Sequence, residues 1–167
     1  MRASALFAEK ALRSAVWLLL ILAGPLAAQR DPRHEMLAAH NRVRAEVGVP
    51  PLKWSEAMEA KARHWANTLL ERGEFAHSPK SAYGENLYEI RGAFASPSEV
   101  VEAWAGEAAD YDYRRNTCRG HSVCGHYTQL IWADTKEVGC AAARSRNREV
   151  WVCNYNPPGN WIGRRPY

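Results

Sequence analysis

The sequence predicts an α+β fold, with helices packed against a mainly antiparallel sheet. Helix-period apolar stripes with start and stop signals fill the first two thirds of the chain, and strand-like runs cluster in the last third. Length and composition agree: 167 residues, 47% apolar and 24% charged, suit one ordinary hydrophobic core.

The first element lies outside that core. Arg2, Lys10 and Arg13 lead into an apolar run from Ala15 to Ala23, which Gly24-Pro25 breaks and Ala27-Ala28 follow. The run is too short to cross ~30 Å of hydrocarbon as a helix but suits a secretory h-region. An uncleaved anchor or a core helix is the competing reading. Residues 1–28 therefore read as a cleaved signal peptide and 29–167 as one domain with no stable membrane span. That domain is expected outside the cell, or in the periplasm of a Gram-negative host.

Asp31-Pro32 opens the first helix, with an Asp cap and Pro at the first position. Met36, His40, Val43 and Val47 form its buried face, and Gly48 with Pro50-Pro51 ends it. Ser55 caps a second helix to about Arg72, with Met58, Ala62, Trp65 and Leu69 as the stripe and Gly73 as the stop. Residues 74–97 read as loop with one short segment, 84–88. Ser96-Pro97-Ser98-Glu99 is a capping box, and the helix after it should reach about Tyr113. Three strand-like runs follow, at 127–132, 138–143 and 150–155, before a turn-rich tail.

Charge and cysteines narrow the function classes. The net charge of +4 falls to +2 without the leader, and no basic run exceeds two residues, so nucleic acid is not an expected partner. In an exported chain Cys118, Cys124, Cys140 and Cys153 are expected as disulfides, with three pairings open. A four-thiolate zinc site competes, but the CxxC knuckle typical of such sites is missing.

Ionisable residues on apolar faces give the sharpest functional signal. Val100, Trp104, Glu107 and Tyr111 recur at helical spacing, which places a carboxylate on a buried stripe where it needs a partner. His126, at the start of the expected 127–132 strand, alternates with Leu130 and Trp132. Glu85 sits between Tyr83 and Leu87 in a similar pattern. One shared cavity is the functional reading, and separate hydrogen bonds at the core edge are the structural one. His40 reads as a satisfied core histidine. His34-Glu35 with His40 mimics a metalloprotease helix, but a separation of six turns the two rings apart.

Four segments in order resemble the CAP superfamily, which unites cysteine-rich secretory, antigen 5 and pathogenesis-related proteins. They are His40-Asn-Arg-Val-Arg44, Gly84-Glu-Asn-Leu87, Gly125-His-Tyr-Thr-Gln-Leu-Ile-Trp132, and Val152-Cys-Asn-Tyr155 followed by Pro157-Pro-Gly-Asn160. The likeness spans about residues 34–167 and is strongest to compact plant-type members, which also end near a Pro-Tyr such as Pro166-Tyr167. It implies a three-layer α-β-α sandwich whose central cavity holds a tetrad of His77, Glu85, Glu107 and His126. It also implies a divalent cation there, zinc or magnesium, as in some members. The family pattern pairs Cys118 with Cys124 and Cys140 with Cys153. The third plant-type bridge lacks both cysteines, with Gly73 and Ser145 near the matching positions.

The resemblance points to a non-enzymatic extracellular binding, defence or interaction module. Its partner would be a sterol or fatty acid, or an extracellular or cell-surface protein. Residues 88–96 offer only Tyr88, Ile90 and Phe94 to an apolar ligand. A metal-assisted hydrolase or peptidase using the same tetrad is the alternative. The tail 157–167 resembles a segment that plant members release as a signalling peptide.

Overall fold

The computed structural model describes residues 31–167; the leader expected at 1–28 lies outside them. Helix α1 spans Pro32–Glu46, and the Asp31 carboxylate caps it by accepting the Arg33 amide at 3.0 Å. Its face of Met36, Ala39, His40 and Val43 turns inward. Helix α2 spans Glu56–Arg72 and stops at Gly73, whose φ of +69° lets its amide turn back to the α2 carbonyls. Ser55 holds the N-cap position of α2, but its hydroxyl makes no capping bond. Helix α3 spans Pro97–Ala105 and starts with both halves of the Ser96–Glu99 capping box.

The sheet has the order β1-β5-β6-β2, formed by Lys53–Trp54, Glu137–Arg144, Arg148–Asn156 and Gly84–Arg91. Strand β1 runs parallel to β5; the β5–β6 and β6–β2 pairings are antiparallel. A separate small ladder joins β3 (Tyr111–Asp112) to β4 (Thr117–Cys118). Alternation along the strands divides the core into two. Leu87, Ala141, Ala143, Val150 and Val152 meet Ala62, Ala66 and Leu69 of α2 on one face. Val138, Trp151, Cys153 and Tyr155 meet Met36, Val43 and Trp104 on the other. The result is α2, sheet, then α1 with α3: the three layers of the expected sandwich.

Residues 127–132 correct the expected meander. They belong not to a strand but to helix α4, Gly125–Leu130, and its continuation. Six residues are too few to hold a helix by propensity alone, and here both ends are capped from distant segments. The Glu107 carboxylate accepts the amides of His126 and Tyr127 at 3.0 and 3.1 Å. The buried guanidinium of Arg44 donates to the carbonyls of Leu130 and Trp132 at 2.8 and 3.0 Å. Two-residue alternation over so short a run cannot foresee caps supplied from 19 and 86 residues away. The outer strand expected there is replaced by β2, which pairs with β6 along its whole length.

The third helix is also shorter than expected. It ends at Ala105 and tightens into a 3₁₀ turn, Gly106–Asp110, so Glu107 sits on that turn and not on a continued helical stripe. Cys118 is bonded to Cys124, just ahead of α4, and Cys140 to Cys153, across the central β5–β6 pair. Their sulfurs are therefore not jointly free to form a four-thiolate metal site.

Candidate functional site

The four residues of the implied tetrad occupy four different elements and form two histidine–carboxylate pairs. Glu85 lies on β2 with Leu87, on the face toward α2, and its side chain is 5% exposed. It accepts hydrogen bonds from the Ser78 amide at 2.9 Å, the Ser78 hydroxyl at 2.7 Å and His77 Nδ1 at 2.8 Å. His77 stands in the loop before β2, mostly exposed. Its hydrogen bond to Glu85, helped by that carboxylate's charge, raises its pKa above the usual 6.5 against the opposing effect of partial burial.

In the second pair, Glu107 Oε1 lies 2.6 Å from His126 Nδ1, while Oε2 takes the two α4 amides. Trp104 stacks against the His126 ring, with centroids 6.1 Å apart and planes 18° apart. A carboxylate can only accept, so in both pairs the histidine Nδ1 carries the proton. Neither Nε2 has a hydrogen-bond partner among the described residues. In the neutral ring each Nε2 keeps a free lone pair.

Asn86 connects the pairs. It follows Glu85 in β2, faces the opposite side of the sheet, and donates through Nδ2 to the His126 carbonyl at 3.1 Å and the Tyr155 hydroxyl oxygen at 3.2 Å. Two carbonyl oxygens cannot bond each other, so the His126 carbonyl fixes the amide orientation. Asn86 Oδ1 is left buried without a partner. The four residues thus form two histidine–carboxylate pairs, with Asn86 next to Glu85 along β2 and hydrogen-bonded to the His126 backbone.

Behind Asn86 runs a buried chain of fixed polarity. His40 Nδ1 must donate to the Met36 carbonyl, 2.8 Å away, so Nε2 accepts from the Tyr155 hydroxyl at 2.9 Å. Burial lowers the His40 pKa to about 4 and keeps the ring neutral. This is the satisfied core histidine that the α1 stripe suggested. Among the described residues, His40, Cys140 and Cys153 are the group of three whose ligand atoms lie within 4.8 Å of one another. That His/Cys cluster is able in principle to coordinate a divalent metal, once the Cys140–Cys153 bridge that ties up both sulfurs is reduced.

Several buried charges carried no signal of their own in the sequence. Arg44 is fully buried on carbonyls, and Glu59 takes the indole N–H of Trp54 along with Arg33 and Arg63. Glu149, fully buried, accepts from the Ala95 amide, Trp151 Nε1 and Arg144. Arg44 could be noticed only as the last residue of a motif; nothing in the periodicity marked Glu59 or Glu149.

Residues 37–155 match the family model described as CAP, the cysteine-rich secretory protein family. The chain belongs to the CAP superfamily. Pathogenesis-related protein 1A of Nicotiana tabacum is 41% identical over 155 residues, covering 92% of this chain and 91% of the relative. Pathogenesis-related protein 1 of Arabidopsis thaliana is 42% identical over 144 residues, 86% of each chain. Among solved structures, venom allergen-like protein 4 of Schistosoma mansoni superposes with a TM-score of 0.66 at 25% identity, over 82% of this chain and 94% of that one. The family motifs fall where the geometry needs them. The CAP Gly84 is one: a Cβ there would stand 2.1 Å from Gln129 Oε1, so its absence lets β2 approach α4.

The tail of this CAP domain is held down by polar contacts. Ala133 donates to the Pro166 carbonyl at 2.7 Å, and Tyr113 stacks on Tyr167 with centroids 4.7 Å apart. Trp161 and Ile162 point outward. Among the described residues no helix is long and apolar enough to cross a membrane.

Proposed function

We propose that this protein is a secreted, non-enzymatic CAP domain of the pathogenesis-related type that binds a divalent cation through His77 and His126. The carrying observation is that each histidine gives its Nδ1 proton to a carboxylate and leaves Nε2 free. A carboxylate behind an imidazole fixes the tautomer and strengthens the ring as a ligand. In this reading Glu85 and Glu107 orient the ligands. The donor set is nitrogen-rich, which suits zinc far better than magnesium, whose preferred ligands are oxygens. A bound zinc would supply a fixed positive charge and open coordination positions for a partner's donor atoms.

The paired cysteines and the family relationship support an extracellular location, where disulfides persist. A sterol or fatty acid is the apolar ligand that this reading includes, with a cell-surface protein as the other partner class. Lipid extraction from protein secreted by its own host tests the first, and recovery of no stoichiometric lipid removes it. The metal reading is tested by titrating zinc into chelator-washed wild type and the His77→Ala/His126→Ala variant. The variant should lose at least about tenfold in affinity. Equal affinity in both proteins would discard the site.

A further inference from the structure

On the α2 side of the sheet lies a cleft of about 580 Å³ that shares only Glu85 with the metal reading. Its floor is Glu85 and Asn154, which face each other across the β2–β6 register. Asn154 is only 4% exposed, and its side-chain amide, which makes no hydrogen bond to another described residue, opens onto the cleft. An amide held at the floor of a cleft and not spent on the fold is available to a ligand. Glu85 Oε1 accepts from both His77 and the Ser78 amide, whereas Oε2 accepts only from the Ser78 hydroxyl and keeps room for one more donor.

The walls are aromatic. The Trp65 indole is held by its N–H to the Ala76 carbonyl at 3.0 Å, and the Tyr83 ring lies 5.1 Å from Lys61 Nζ. Lys61, Lys80 and His64 line the same cleft and stand exposed at its rim. An amide beside a carboxylate supplies the mix of donor and acceptors that neighbouring hydroxyls require. Aromatic walls suit the C–H face of a sugar ring, and lysines at the mouth suit an anion.

We propose that this cleft binds an acidic saccharide of the hexuronate class, its hydroxyls on Asn154 and Glu85 and its carboxylates toward Lys61 and Lys80. The site differs from the histidine–metal site in place and ligand, sharing only Glu85, and does not depend on metal.

The test uses chelator-treated full-length protein and isothermal titration with trigalacturonate. Neutral maltotriose, citrate and adenosine monophosphate are the comparison ligands. Trigalacturonate should bind, and each comparison ligand should bind at least about tenfold more weakly. Asn154→Ala should weaken trigalacturonate about tenfold while leaving zinc binding unchanged. Lys61→Gln/Lys80→Gln, both on exposed side chains, should weaken trigalacturonate similarly and abolish the salt dependence of its binding. Equal binding of maltotriose removes the anionic requirement, equal binding of citrate removes the sugar, and preference for the nucleotide replaces the ligand class. Each of these results overturns the proposal, as does failure of trigalacturonate to bind. So does wild-type affinity in the lysine variant.

Discussion

Replacing Glu107 separates two jobs that one carboxylate performs. Oε2 caps α4 by accepting the His126 and Tyr127 amides at 3.0 and 3.1 Å, while Oε1 takes the His126 Nδ1 proton at 2.6 Å. Glu107→Ala removes all three bonds, and α4 is too short to keep its first turn without the cap. At about 1–2 kcal/mol for each orphaned amide, reduced because the carboxylate is partly exposed, the cost should be ~2–3 kcal/mol. Glu107→Gln keeps an oxygen for the amides but presents an NH₂ to Nδ1. The imidazole must then accept at Nδ1 and carry its proton on Nε2, the atom assigned to the metal. Glu107→Gln should therefore cost only ~1 kcal/mol in urea unfolding, yet lower zinc affinity about 10–100-fold. Nitrogen-15 shifts of the His126 ring would report the tautomer directly. Glu102→Ala, which loses only an exposed 4.0 Å contact with Arg42, serves as the control and should stay within ~0.5 kcal/mol of wild type. Two results would refute the reasoning: Glu107→Ala as stable as Glu102→Ala, or Glu107→Gln with the zinc affinity and Nδ1–H tautomer of wild type.

Four further outcomes follow from contacts within the fold. His40 has a folded pKa of about 4 against an ordinary 6.5, so the unfolded chain takes up this proton first as pH falls. Its contribution is complete above pH 6.5 and is lost toward pH 4, by up to ~3 kcal/mol. Urea titrations across that window should show the slope, and His40→Gln should flatten it. His77 has the opposite sign: its raised pKa adds stability that is full below 6.5 and disappears as pH rises through the folded value. Cys140→Ser/Cys153→Ser opens a link between cysteines 13 residues apart and should cost ~3 kcal/mol on the chain-entropy account; a loss below 1 in equilibrium unfolding contradicts it. Gly139→Ala would set a Cβ 2.1 Å from the Glu59 nitrogen and 2.4 Å from the Ser55 carbonyl oxygen, where only backbone can yield. It should cost at least ~3 kcal/mol, and a normal melting temperature would show that α2 can lift from β5 without penalty.

What the sequence revealed and what it hid divide along a physical line. Local signals were legible because their causes are local: the Asp31 cap, the Ser96–Glu99 box and the Gly73 stop each act within about one turn of chain. So was the polarity clash that marked Glu107, since a carboxylate among apolar residues needs a partner wherever the fold places it. The partner itself was not legible. His126 was expected on a strand alternating with Leu130 and Trp132, and it stands instead on a helix, where His126 and Leu130 share a face at a spacing of four. The two patterns agree on inward residues and differ only in backbone, so periodicity could suggest that His126 faces inward and still misassign its element. What decides the backbone is Arg44 at one end of α4 and Glu107 at the other, two charges brought in by α1 and the turn after α3. His77 had no pattern of its own in an irregular loop and entered only through the family likeness. Asn154 shows the same limit from the other side. In the sequence it is a polar residue inside a strand-like run, and only the pairing with Glu85 turns that blemish into a cleft floor with an unused amide. Sites of this kind are read from sequence as residues that do not fit their surroundings; which of them meet is a property of the sheet register.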